Sequence, residues 1–226
     1  MLGKSMRETS PEDYARLFEP RRNGAGPSGL SDSPRPFVIR AASLNGREVQ
    51  AGEPFCFSFH LFASELDPFT RAFAAWADVI SVAQQEIAID LSPLACPISR
   101  IRVEFGTPTD LMSAAFPFLL GRARDRVSIL RSLYGEGPLD IDFRALGERA
   151  RSITTVASEL RRVRIQRVSR RTHQRHDIGG LVGFTEYQGD LAEFLPYLEA
   201  ASWTGIGRHS TWGNGHIITT ILNSDF

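Results

Sequence analysis

The chain has 226 residues, 42% of them hydrophobic and 23% charged, with a formal net charge of zero; this is a globular composition, large enough for one big domain or two small ones. No apolar run approaches the ~18 residues of a membrane span, and the start, MLGKSMRETSPEDY, lacks the apolar core of a secretory signal. Cys56 and Cys96 show no CxxC spacing, which excludes a cysteine-rich zinc site, fits a reducing cytoplasm and reads both as small buried hydrophobes.

Taken in chain order, residues 11–18 predict a short helix, and RRNGAGPSGLSDSPRP (21–36) predicts an irregular loop. PFVIR (36–40) predicts a strand. FCFSFHLF (55–62) alternates, which predicts a strand with Phe55, Phe57, Phe59 and Leu61 on one face. Asp67 and Pro68 open a helix whose stripe is Phe69, Phe73, Trp76 and Ile80. EIAIDL (86–91) is the next predicted strand, and residues 92–97 read as a linker.

Arg100–Phe105 alternates as a strand. A helix from about Ser113 to Tyr134 follows, with Leu119, Ala123, Val127 and Leu130 on one side, broken by GEGP (135–138). Asp142 caps a second helix, to about Arg151. Residues 160–170 and 178–187 predict a hairpin. Asp190 caps a helix carrying Leu191, Phe194, Leu195 and Leu198, and residues 216–222 close the chain as a strand.

From residue 100 the order is strand, helix, strand, strand, helix, strand, the ferredoxin-like pattern that RNA-recognition modules also use. The first half repeats this order without its opening strand and helix. The expected fold is therefore α+β: tandem ferredoxin-like units over 1–95 and 96–226, the first incomplete, with antiparallel sheets and helices on one face.

The charge is segregated. Residues 161–176 hold seven arginines, among them Arg164, Arg167, Arg170, Arg171 and Arg175, two histidines and no acid. Such a segment carries a strong local field although the total cancels. Near the C-terminus stands GIGRHSTWGNGH (205–216), between a predicted helix and a predicted strand. It fits neither a Walker A nor a dinucleotide loop. Caps and turns would explain such glycines by themselves. Amides freed of side chains can also form an anion nest. Arg208 and His209 could meet phosphate, and Trp212 offers a stacking surface for a base, a core role being equally open for it. The segment therefore reads as a site for a phosphate-rich chain, with Gly205, Gly207, Arg208, Gly213 and Gly215 contacting RNA alongside the arginines.

Residues 179–216 resemble the C-terminal region of the CRISPR precursor-RNA processing endoribonucleases of the RAMP superfamily. The matching features are the hairpin GLVGFTEYQGD, the helix LAEFLPYL and the loop GxGxxxxxGxG. YARLFEP (14–20), PRPFVIR (34–40) and LYGEGPLDIDF (133–143) fit the same group. The resemblance implies two ferredoxin-like domains and a basic cleft that binds CRISPR repeat RNA. It also implies one metal-independent cut, in which a 2′-hydroxyl attacks the adjacent phosphate and leaves a cyclic phosphate and a 5′-hydroxyl. No cofactor and no metal are expected.

That chemistry needs a base, an acid and positive charge on the phosphorane. Histidine suits the first two roles, and His176 and His209 are the candidates. His60 and His216 read as structural. The family's first domain starts with a strand and helix upstream of the YARLFEP match, so a shortened first unit is expected here. The expected partners are precursor CRISPR RNA, CRISPR effector subunits and a second copy of the chain, with no membrane. Two other readings stand beside the endoribonuclease: a non-catalytic RAMP subunit holding guide RNA in an effector complex, and a ferredoxin-like protein whose arginines are only a solvated face.

Overall fold

The structure is a computed structural model and describes residues 2–20, 33–62, 81–168 and 175–222. The predicted helix opened by Asp67 lies outside the described residues, as do Arg170, Arg171 and His173.

The C-terminal part is built on one four-stranded antiparallel sheet. Its strands are β3 (Arg100–Thr109), β4 (Thr154–Val163), β7 (Gly180–Gln188) and β8 (Ile217–Ile221), in the order β4-β7-β3-β8. With α3 (Phe116–Tyr134) after β3 and α5 (Leu195–Thr204) after β7, this is the ferredoxin-like arrangement. A short helix, α4 (Phe143–Arg149), precedes β4, and Asp142 caps it by accepting from the amides of Arg144 and Ala145. Alternation decides which face of the sheet is covered. Ile101, Val103 and Phe105 of β3 are buried, and Arg100, Arg102 and Glu104 point the other way. The buried side joins Leu119, Ala123 and Val127 of α3 and Leu195, Leu198 and Ala201 of α5 in one core. Phe116 sits at its centre, edge-on to Tyr187 and Phe194 at 5.1 and 5.4 Å. On the open face Glu186 is forked between Arg100 and Arg102, each at 2.6 Å.

The N-terminal part has its own cluster. Helices α1 (Leu2–Thr9) and α2 (Pro11–Phe18) pack Met6 and Leu17 against Phe37, where β1 (Phe37–Arg40) pairs antiparallel with β2 (Ser58–Leu61). Ring contacts continue from Tyr14 stacked on Phe18, through a tilted Phe18–Phe37 pair, to Phe37 stacked on Phe59.

Several expectations are corrected. The strand predicted at 55–62 begins only at Ser58; Phe55 and Phe57 are exposed, because β1 offers four residues of partner. Residues 86–91 form no strand. Among the described residues they pair with no strand, and Ile89 and Leu91 pack on the core from an irregular segment instead. β4 starts six residues before the predicted 160, since its polar residues gave no alternation to read. The helix predicted from Asp190 starts at Leu195, with Phe194 as its cap, although the predicted stripe is buried. Cys56 and Cys96 are both exposed, not buried, because the segments that carry them lie outside the core. Among the described residues no helix is long and apolar enough to cross a membrane.

Candidate nucleic-acid interface

The glycine segment leaves α5 at Thr204 and enters β8 at Ile217. Its backbone turns through left-handed conformations: Gly205, Gly207, Gly213 and Gly215 have φ between 71° and 93°, and His209 has φ 67°. Contact requires glycine at all four as well, most tightly at two of them. A Cβ on Gly207 would stand 2.7 Å from the Asp110 carbonyl oxygen, and one on Gly215 only 1.9 Å from that of Ile206. What the chain approaches so closely is therefore, first, itself.

The loop is held on every side. Ile206 N–H donates to the Gly215 carbonyl at 2.9 Å and closes its neck. Thr107 Oγ1 donates to the Gly213 carbonyl and accepts from the His216 amide, at 3.0 and 2.9 Å. That threonine is available because the β3–β7 pairing shifts register after Phe105. Asn214 Nδ2 reaches the Ile178 carbonyl, at 2.7 Å, and ties the loop to the start of β7. The amides of Gly205, Gly213 and Gly215 bond to the carbonyls of Ala201, Ser210 and Pro108. The amides of Gly207 and Arg208 take no backbone acceptor among the described residues. The amides of Gly205, Gly213 and Gly215 are thus already spent within the fold.

A cleft opens where the loop's Arg208 meets the ends of β4 and β7. Arg162, Arg164 and Arg208 line it, together with Asp110 and Asp177. Arg208 is largely exposed and pairs with Asp110, and Arg162 donates to the Leu111 carbonyl at 2.8 Å. The floor depends on two glycines that sequence reasoning passed over. A Cβ on Gly179 would meet the Val163 oxygen at 2.3 Å, and one on Gly180 the Thr109 oxygen at 2.5 Å. Their adjacency in the sequence was the available signal.

The arginine-rich segment leaves the main sheet as a hairpin of β5 (Gln166–Val168) and β6 (Arg175–Asp177), with Arg167 directly opposite His176. Arg164 and Arg175 are exposed. The Arg167 guanidinium lies over the Trp212 ring, 4.1 Å from its centroid. The His209 ring is parallel to that of Trp212, at 5.1 Å. Hairpin and loop, distant in sequence, are thereby joined through Arg167, Trp212 and His209.

The other two described histidines lie behind the loop, towards the N-terminal part. His60 Nδ1 donates to the Trp203 carbonyl at 3.2 Å. Burial pushes its imidazole below the ordinary value, the Trp203 carbonyl raises it, and Arg40 lowers it again. His216 is lowered by burial, by Arg40 and by His60. Burial and Arg126 bring the Arg40 guanidinium down to about 10, so it remains charged at neutral pH. Among the described residues no group of His, Cys, Asp and Glu is placed to hold a metal ion.

A family model described as the CRISPR-associated endoribonuclease Cas6 matches residues 103–217, and a model described as an N-terminal domain matches residues 6–88. No match was found among curated proteins. Among solved structures, a Cas6 product complex aligns with a TM-score of 0.63 at 14% identity, covering 97% of this chain and 90% of that one. A Thermus thermophilus Cas6 aligns at 0.55 and 15%, covering 96% and 88%. A second Cas6 product complex aligns at 0.55 and 16%, covering 96% and 89%. At these identities the structural likeness speaks for the fold, and the family model spans β3 to the start of β8, with the cleft and the glycine loop inside it. The chain belongs to the CRISPR-associated endoribonuclease Cas6 family.

Proposed function

We propose that the protein cuts precursor CRISPR RNA within its repeat, without a metal ion, by attack of a ribose 2′-hydroxyl on the adjacent phosphate. The observation that carries this reading is the convergence of Arg162, Arg164 and Arg208 in one cleft. Three guanidinium groups suit a phosphodiester, whose charge grows in the phosphorane. In the free protein Asp110 holds Arg208, so an RNA phosphate competes with that carboxylate. Arg167 and Arg175 extend the basic surface along the RNA backbone, and Arg170 and Arg171 of the same segment are proposed as further phosphate contacts.

The proton transfers fall to the histidines of this region. One imidazole takes the 2′ proton as the O2′–P bond forms. The other gives a proton to the 5′ oxygen as the P–O5′ bond breaks. His209 of the loop and His176, placed across the hairpin from Arg167, are the proposed pair.

The test is incubation of the protein with end-labelled repeat RNA in EDTA. Cleavage at one position, leaving a cyclic phosphate and a 5′-hydroxyl, is expected. His209→Ala is expected to slow single-turnover cleavage ~10²–10⁴-fold with affinity nearly unchanged. Retention of the RNA without cleavage would replace this reading with that of a binding subunit, and dependence on an added divalent ion would replace the mechanism.

A further inference from the structure

One guanidinium from the N-terminal part grips both ends of the glycine loop. Arg40 is the last residue of β1. Its Nη2 donates to the carbonyls of Ser202 and Trp203, at 2.9 and 3.5 Å, and its Nη1 to that of Gly213 at 3.4 Å. Ser202 and Trp203 lie in the last turn of α5, just before the loop begins. Gly213 lies directly after Trp212, where the loop returns.

The physical need is plain at both ends. The last carbonyls of a helix have no partner within it and carry its negative pole. α5 has no basic residue in its last turn to meet them. Arg40 supplies the cation from another element, and His60, opposite Val38 in the β1–β2 pair, adds its Nδ1–H to the Trp203 carbonyl. The Gly213 carbonyl is pinned from the other side by Thr107. The backbone of β1 presses on the same point, the Ile39 carbonyl oxygen lying 2.9 Å from where a Gly213 Cβ would be. Arg208, His209 and Trp212 are carried on the arc between these two anchors.

We propose that Arg40 is a positioning residue for the RNA site: by bridging the end of α5 to Gly213 it holds the glycine loop in its RNA-binding form, making the site a joint product of the N-terminal β1–β2 pair and the C-terminal sheet. This rests on the RNA reading above. The planar fork matters, because three carbonyls on two chain segments are met at once, a geometry that a lysine ammonium does not reproduce.

The experiment compares wild type, Arg40→Ala and Arg40→Lys in two measurements. Hydrogen exchange is followed at amides 205–215, with β3 and β7 as internal reference. Binding of labelled repeat RNA is followed over a salt series. Loop exchange should quicken roughly tenfold in both variants with the reference strands unchanged, the order expected for losing hydrogen bonds to a charged donor. RNA affinity should fall by a similar factor, and the slope of log affinity against log salt should stay as in wild type, since Arg40 touches no phosphate. If Arg40→Ala does not fold, the lysine variant, which keeps the charge, carries the same comparison. Unchanged loop exchange overturns the proposal. So does unchanged affinity with a loosened loop, or a slope shallower by about 0.7, which would put Arg40 on a phosphate itself. Failure of wild type to bind repeat RNA would sink the RNA reading instead, while loop exchange would still decide whether Arg40 holds the loop.

Discussion

At the scale of single residues, the loop glycines serve conformation before they serve a ligand. Gly215 has φ 71° and no room for a methyl group beside the Ile206 carbonyl. Gly215→Ala is therefore expected to destabilise the fold by more than the ~1–2 kcal/mol of a left-handed backbone alone, read as a lower urea midpoint with unchanged slope. Gly46 has nearly the same φ, 70°, but open space around it, so Gly46→Ala should cost only the backbone term, ~1–2 kcal/mol. Equal losses at the two positions would show that the Ile206 contact relaxes freely. Gly207 falls in the first class, which has a practical consequence. Its replacement cannot separate a phosphate contact from a turn, because it disturbs both. Arg208, whose side chain leaves the loop for Asp110, is the position that can. The sequence showed that glycine was needed here; it did not show that the nearest neighbours are Asp110 and Ile206, carbonyls supplied by the residue that follows β3 and by the loop's own neck.

At the scale of elements, the basic hairpin and the glycine loop work as one unit. β5 and β6 leave the main sheet and return Arg167 over Trp212, while Asn214 ties the loop to Ile178. Replacing Arg164 and Arg167 together with alanine should reduce the slope of log affinity against log salt by about 0.7 for each phosphate that is no longer neutralised. Filter binding across a salt series measures it, and an unchanged slope would remove the hairpin from the RNA footprint. The hairpin expected from 160–170 and 178–187 corresponds to the β4–β7 pairing, whereas the separate β5–β6 pairing was not among the predicted elements. β4 was read six residues short for a concrete reason. TTVASELRRV has few apolar side chains, and nine of its residues register against β7 through backbone pairing, which leaves no period-two trace in the sequence.

At the scale of the whole molecule, the N-terminal part meets the C-terminal part through Arg40, His60 and the end of α5, and this contact is sensitive to acid. His60 and His216 both bind protons less readily when folded than an ordinary imidazole does. As pH falls, the unfolded chain takes these protons first. The stability is thus fully present above the ordinary imidazole value and is lost as pH drops through and below it. Urea unfolding should show lower stability at pH 5.5 than at pH 7.5, and His60→Gln should flatten part of that difference. Equal stability at the two pH values would exclude the effect. Glu186, lowered first by its bonds to Arg102 and Arg100, loses its contribution only in the carboxylate range, well below this window. Sequence alone determined the parts: the βαββαβ order from residue 100, the apolar stripes of both long helices, the basic segment and the glycine loop, because periodicity, capping residues and charge runs are local. Only the tertiary structure decided how the parts form a site. Arg40 looked like the end of a strand and His60 like a side chain on its face, and neither carries a local sign that it reaches α5. That contact joins residues more than 140 positions apart, and it exists because a helix end with unpaired carbonyls comes to rest where the first strand pair can supply donors.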